Sequence, residues 1–564
     1  MSTASLRDPC VRSFLLPTRV VWQSESSNGV RDTAPLLSSH TGQSTLGVVP
    51  VCTLRRETGA ESPGLLLDFG RELNGGIQIV AREATPAPVL VRVRFGESVS
   101  EAMGQPDNDH ALHDLQIPIP ALGTQEIGNT GFRFVRLDMI TEGASLELIA
   151  VRAVSLVRPL ERVGTFHCND ERLNAIWETS AHTIHLCMQE LLWDGVKRDR
   201  LVWAGDMYSE AAAISAVYGA HDILPQSLDH LRDTFPIPKW MSGISSFSIW
   251  WLLTHRRWFR YYGNHAYLAE QREYLLALLD QLGNHVGNDG REDLGGFRFT
   301  DWPSQGDEEA IHAGLHALLI RGMDAGAELC AVLHEPEAGA SCARLASQLR
   351  SHRPAYSAGR KVAGALLALA NVHAPEAVNR QVLAREPSRG VSVFGGTFIL
   401  EARALAGDHA GCLDLLRTYW GGMLDLGATT FWEDFDVDWL ANAARIDELT
   451  PPGKVDVHTT YGDHCYKSLR HSLCHGWGAF PAAWLSENVL GVRPATPGFR
   501  DVIIEPYLGD LTEVTGTVPT PFGPISVSHR RVPSLDPDGG APIETIIDLP
   551  EEITHCEARN CRIV

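Results

Sequence analysis

The chain has no paired cysteine spacing of the kind that holds a metal: no CxxC occurs among its eleven cysteines, which are scattered from Cys10 to Cys561. An odd number of isolated cysteines in a long chain fits reduced thiols better than a disulfide framework. Stretches of about 18 consecutive apolar residues are also missing, so no membrane-spanning helix is expected. The first residues carry Arg7, Asp8, Arg12 and Arg19 and lack the apolar core of a secretory leader, which makes the cytoplasm the expected compartment. Positive charge is scarce. With 48 Lys and Arg against 69 Asp and Glu, the formal net charge is -21. Phosphate neutralisation by cations dominates nucleic-acid affinity, so a general nucleic-acid binder is excluded, and an anionic membrane surface is disfavoured.

What the chain does have is size and apolar content. Its 564 residues exceed the length at which one core usually stops growing, and 44% hydrophobic residues can fill several. Residues 1–158 read as β. Alternating runs such as Val89–Phe95 and Phe132–Leu137 are separated by turn formers at Asn74-Gly75-Gly76, Pro86-Ala87-Pro88 and Gly128–Gly131. From 159 to 487 the period becomes helical. Leu173, Ile176, Trp177, Ile184, Cys187, Met188 and Leu191 form one apolar stripe, and further helices are predicted over 257–286, 308–334, 356–373, 396–406, 409–425 and 466–489. Roughly twelve helices of ordinary length fit this region, a number that suits a toroid of paired helices. From 488 to 564 strands return, as in Val502-Ile503-Ile504 and Ile525–His529, punctuated by Pro519, Pro521, Gly523 and Pro524.

The densest polar cluster runs from Trp193 to Asp206 and packs three carboxylates, three cations and two Trp into fourteen residues. Mixed charge on a loop is commonly no more than a solvated connection with weak local ion pairs. The chemical alternative is sugar cleavage, which needs one carboxyl group held protonated and one held ionised on either side of a glycosidic bond. Asp194, Asp199 and Asp206 supply such groups, Arg198 or Arg200 would favour ionisation of a neighbour, and Trp203 offers a face for stacking. A second cluster, Gly427–Asp436, places Glu433 after Trp432. An acidic helix start explains Asp434 and Asp436 but not the Trp-Glu pair. In a third, Ser468–Ala479, His471 and His475 stand four apart and are expected on one helix face. No HExxH pattern accompanies them, so a metal is not implied, and the same holds for His312 and His316.

In this order the three clusters resemble the inverting α-L-rhamnosidases of glycoside hydrolase family 78. The family's first motif, Asp-Cys-Pro-x-Arg-Asp-Glu-Arg-Leu-Gly-Trp-x-Gly-Asp, is similar to Asp194-Gly-Val-Lys-Arg198-Asp199-Arg-Leu-Val-Trp203-Ala-Gly-Asp206. Its Gly-Ala-Thr-Thr-Ile-Trp-Glu is similar to Gly427–Glu433, and its later Ser, His, Gly and Trp-Leu segment to Ser472–Trp477 with Trp484-Leu485. Leu67–Gly70 and Gly131–Val135 resemble the family's accessory β-domain, and Gly498–Arg500 with Leu508–Leu511 its C-terminal sandwich.

The resemblance implies a multidomain, mainly α protein. An (α/α)6 toroid catalytic domain (159–487) would be flanked by an N-terminal (1–158) and a C-terminal (488–564) antiparallel β-sandwich domain. It implies an exo-acting hydrolase of terminal α-L-rhamnosyl residues, with a small or oligosaccharide rhamnoside as partner, no cofactor, no metal, and monomer or homodimer left open. By position in the motifs, Asp199 corresponds to the general acid and Glu433 to the general base. Asp194, Arg198, Asp206, His475, Trp203, Trp302 and Trp432 correspond to groups that contact the sugar. The family's usual acid is Glu; here the Asp-Glu pair is one Asp, a methylene shorter. The span from Glu433 to His475 implies an inserted loop at about 441–465. A phosphorolytic relative and a non-catalytic rhamnoside-binding protein are the rival readings; a candidate base at Glu433 speaks against the first.

Overall fold

The computed structural model describes residues 8–24, 29–105, 113–357, 359–464, 466–532 and 542–564. Nine strands between Val11 and Val157 join in one antiparallel hydrogen-bonded sheet, in which the 22-residue strand Gly64–Thr85 pairs with three others. The two alternating runs read from the sequence lie in strands Val89–Gly96 and Thr124–Met139, which pair with each other. Alternation puts one set of side chains inside, and Leu65, Leu67, Ile77, Val91, Phe95, Phe132 and Leu137 form a core belonging to this sheet alone.

Helices then dominate. Asp170 caps helix Glu171–Cys187 by accepting from the amides of Arg172 and Leu173, and the predicted stripe, Leu173, Ile176, Trp177 and Ile184, is its buried face. The expected helix over 257–286 is three helices, Ser245–Tyr262, His265–Glu270 and Arg272–Gly283. Gly263 ends the first of them in the left-handed region at φ 59°, a conformation that favours glycine. Helices Glu308–Val332, Lys361–Leu369 and Val393–Leu405 match their predicted segments to within a few residues. The expected helix over 466–489 is corrected: only Phe480–Trp484 is α-helical, running on into a π turn at Leu485–Val489.

The last strands form a five-stranded and a three-stranded sheet. Strand Glu513–Val518 pairs not only with Ile525–Arg531 but also with Thr165–Cys168, which precedes helix Glu171–Cys187. These strands share one continuous apolar core with the helices, running from Phe166 to Ile553. No helix among the described residues is long and apolar enough to cross a membrane. The ten described cysteines are free thiols.

Candidate active site

The segment from Asp194 to Asp206 leaves helix Glu171–Cys187 and closes on itself. The amide of Asp194 donates to the carbonyl of Leu201 at 3.1 Å, and the Leu201 amide donates to Asp194 Oδ1 at 2.9 Å. Inside that closure Asp199 and Arg200 both stand in the left-handed region, at φ 56° and 54°. Two consecutive non-glycine residues there carry strain of roughly 1–3 kcal/mol each, which persists only where neighbours impose it. The neighbours are visible. Arg200 donates to Asn129 Oδ1 (3.1 Å) and Asn74 Oδ1 (3.0 Å) of the N-terminal sheet and lies over the Trp193 ring. Gly131 lets the loop approach that sheet, since a Cβ there would stand 2.7 Å from Val196 Cγ2 and 3.0 Å from the Lys197 amide. Asp206 begins helix Met207–Val217 through its backbone alone; its carboxyl makes no capping bond.

The second and third clusters meet as extended chain. Glu433 N donates to the Ser472 carbonyl (3.0 Å) and His475 N to the Phe431 carbonyl (2.9 Å). Gly195 pairs with His475 across an antiparallel bridge, and Gly476 N donates to the Asp194 carbonyl at 2.7 Å. These pairings correct the expectation that His471 and His475 share a helix face: their spacing fits a helical turn, but backbone partners on both sides hold the segment open. The two rings have different surroundings. His471 Nε2 accepts from the Asp434 amide at 3.0 Å, whereas His475 faces the carboxylates.

Arg198 is the bridge of the site. One arm of its guanidinium contacts Asp199 Oδ2 at 3.1 Å, the other holds Glu433 Oε2, and its Nε donates to the Arg470 carbonyl. Glu433 Oε2 also accepts from the Ser472 amide at 3.2 Å. His475 Nε2 lies 3.6 Å from both Asp194 and Glu433, and its Nδ1 lies 3.8 Å from Asp206. Burial lowers the His475 pKa to about 4, so the ring is neutral near pH 7. Burial, reinforced by the charge of Asp199, pushes Asp194 up to about 8. Asp206 and Glu210 are raised well above the carboxylate range by burial and by each other's neighbours. The Asp199 side chain is 25% exposed, the Glu433 side chain 4%.

These groups line a cavity of about 280 Å³ whose other walls are aromatic: Trp203, Phe247, Phe297, Phe299, Trp302 and Trp477 among them. Trp203 meets Phe247 edge-on at 5.8 Å, and Trp477 lies against His475 at 4.1 Å. A second cavity of about 290 Å³ adjoins it, sharing Trp302, Glu433, Tyr466 and Trp477. Of the residues singled out in the sequence, Asp194, Arg198, Asp199, Trp203, Asp206, Trp302, Glu433 and His475 therefore surround one space. Trp432 does not. It is fully buried, edge-on to Phe435 and His471, because alternation along the extended segment turns it away from Glu433.

Sequence reasoning missed Glu210, Tyr466 and Phe247. Glu210 had a signal, standing one helical turn after Asp206; Tyr466 and Phe247 had none, since their place depends on distant contacts. Away from the cavity, His312 and His316 are tied to Glu292, His352 and the Leu349 carbonyl. The ligand atoms of Glu97, Glu101 and His458 lie within 4.8 Å of one another, a grouping that could hold a metal ion. The Lys197 ammonium already stands there as the cation, 2.7 Å from Glu101.

Two family models match the chain: the bacterial alpha-L-rhamnosidase 6 hairpin glycosidase domain over residues 161–352, and the bacterial alpha-L-rhamnosidase C-terminal domain over 491–536. An alpha-L-rhamnosidase of Alteromonas sp. (strain LOR) is 33% identical over 111 residues, 19% of this chain and 10% of that protein. The fold is similar to the GH78 family rhamnosidase of Bacillus sp. GL1, with TM-score 0.72, 23% identity, and coverage of 93% of this chain and 56% of that one. It is also similar to a rhamnosidase from Klebsiella oxytoca with rhamnose bound, with TM-score 0.68, 19% identity, and coverage of 85% and 96%. The match thus spans a tenth of the curated relative and just over half of the Bacillus chain. Two bacterial alpha-L-rhamnosidase domain models are thus matched in order along the chain, and the fold around the cavity is similar to that of a GH78 family rhamnosidase.

Proposed function

We propose that the protein is an exo-acting α-L-rhamnosidase that hydrolyses terminal α-L-rhamnosyl residues with inversion. The observation that carries this reading is the Arg198 bridge, which brings Asp199 and Glu433 to one cavity from positions 234 residues apart, with two further buried carboxyl groups and aromatic walls around them. Asp199, the more exposed of the pair, donates a proton to the glycosidic oxygen as the bond to the anomeric carbon breaks. Glu433 takes a proton from the water that attacks the opposite face. Such a mechanism asks for carboxyl groups roughly 6.5–9.5 Å apart, whereas a covalent intermediate asks for about 5–5.5 Å. A guanidinium between the two leaves room for the wider spacing. Asp194 and Asp206, held protonated by burial, both donate to and accept from sugar hydroxyls, and neutral His475 does the same. The apolar walls receive the sugar's methyl group and ring face.

The same reading divides the chain into an N-terminal β-sandwich (1–158), an (α/α)6 toroid (159–487) and a C-terminal β-sandwich (488–564). It needs no cofactor. The test is a panel of aryl glycosides followed by NMR of the first-formed sugar. Release of L-rhamnose as the β-anomer from α-rhamnosides is expected; first release of the α-anomer would overturn the single displacement, and no release at all would overturn the enzyme assignment.

A further inference from the structure

Glu97 lies just past strand Val89–Gly96 of the N-terminal sheet and is 1% exposed. Its Oε2 accepts the Leu473 amide at 2.6 Å, and its Oε1 accepts the Ser472 hydroxyl at 3.2 Å. On its other side the same two-residue segment holds Glu433, with Ser472 N donating to Glu433 Oε2 at 3.2 Å and the Ser472 carbonyl accepting Glu433 N at 3.0 Å. The Ser472-Leu473 segment is thus clamped between a carboxyl group of the N-terminal sheet and the carboxylate proposed as the base. The plainer role for Glu97 would be to neutralise Lys197. The distances argue otherwise: Lys197 Nζ is 2.7 Å from Glu101 and 3.7 Å from Glu97. Lys197 also donates to the carbonyls of Leu469 and His471. Glu101 carries the lysine, and also accepts the Glu97 amide at 2.8 Å, which leaves the Glu97 carboxyl oxygens for Ser472 and Leu473.

We propose that Glu97 is a positioning residue for catalysis: through Ser472-Leu473 it fixes the orientation of Glu433, so the N-terminal sheet completes the active site. This rests on the reading of Glu433 as the base. Glu97→Gln keeps the size but leaves one acceptor where Glu97 offers two, so the links to the Leu473 amide and the Ser472 hydroxyl can no longer both be accepted by residue 97. A misplaced base slows chemistry without weakening sugar contacts, so a fall in kcat of tenfold or more is expected, with KM within twofold of wild type. Ser472→Ala removes only the hydroxyl link, leaves the Lys197 cluster whole, and is expected to lower kcat severalfold. It decides the matter if Glu97→Gln does not fold. Both variants folded with kcat within twofold of wild type would overturn the proposal. Hydrogen exchange reads the same clamp without turnover: the Leu473 amide should exchange at least tenfold faster in Glu97→Gln, and unchanged protection would also overturn it. An inactive wild type would sink the functional reading instead, while the exchange result would still decide for or against the clamp.

Discussion

Asp194 gives the site a pH signature that can be measured as stability. Its carboxyl is buried among Asp199, Asp206 and Glu433, and its pKa stands at about 8 against 3.8 in an unfolded chain. A folded state with the higher pKa binds the extra proton, so the sign is that of a raised acid. The cost is absent below about pH 4, grows as pH rises, and levels off above about pH 8. The slope in that window approaches about 1.4 kcal/mol per pH unit, so this group destabilises the fold by on the order of 3 kcal/mol more at pH 7 than at pH 5. Asp194→Asn mimics the protonated carboxyl and retains an acceptor for the Leu201 amide. The variant should therefore gain on wild type by about that amount between pH 5 and pH 7, in urea unfolding followed at both values. An equal gap at the two pH values would show that Asp194 is ionised in the folded protein, and the argument from burial would fail.

Three further outcomes follow from the same geometry. Glu433→Gln and Asp199→Asn should each lower turnover of an aryl rhamnoside by at least about 10²-fold with circular dichroism unchanged; near-normal rates would remove them from the chemistry. Gly131→Ala, whose methyl group would press on Val196 and the Lys197 amide, should cost about 1–3 kcal/mol of stability and lower kcat, both read on purified protein. Arg200→Met frees the motif loop from Asn74 and Asn129 and should reduce kcat severalfold while shifting the melting temperature by only a few degrees.

The sequence made local features legible where one period ruled. The stripe on Glu171–Cys187 and the alternation of Val89–Gly96 were readable because burial on one face leaves a repeating mark. Two His four apart match the helical period, but the stretch 471–475 between two short 3-10 turns is held open by Phe431, Glu433 and the Asp194–Gly195 segment, which lie far away in the chain. The site carboxylates showed themselves as a charge cluster too rich in Trp for a surface loop. The contribution of the N-terminal sheet did not, because Glu97 and Leu473 are 376 positions apart and neither stands out among its sequence neighbours. Trp432 carried a motif match but faces the core, since pairing with Glu433 in sequence does not place two adjacent side chains on one side of an extended strand.

Strand Thr165–Cys168 has its partner 352 residues downstream, where Thr165 and Thr517 share a hydroxyl contact. During synthesis at roughly 5–20 residues per second, that strand waits on the order of 20–70 s for its neighbour. For that interval the nascent chain carries an unpaired edge beside helices that have already emerged, and an unpaired edge is a template for another chain. Deleting the last strands would make the wait permanent. A shortened version of this protein therefore faces aggregation before it faces loss of chemistry, and its yield in the cell should depend on chaperones in a way that the full chain's does not.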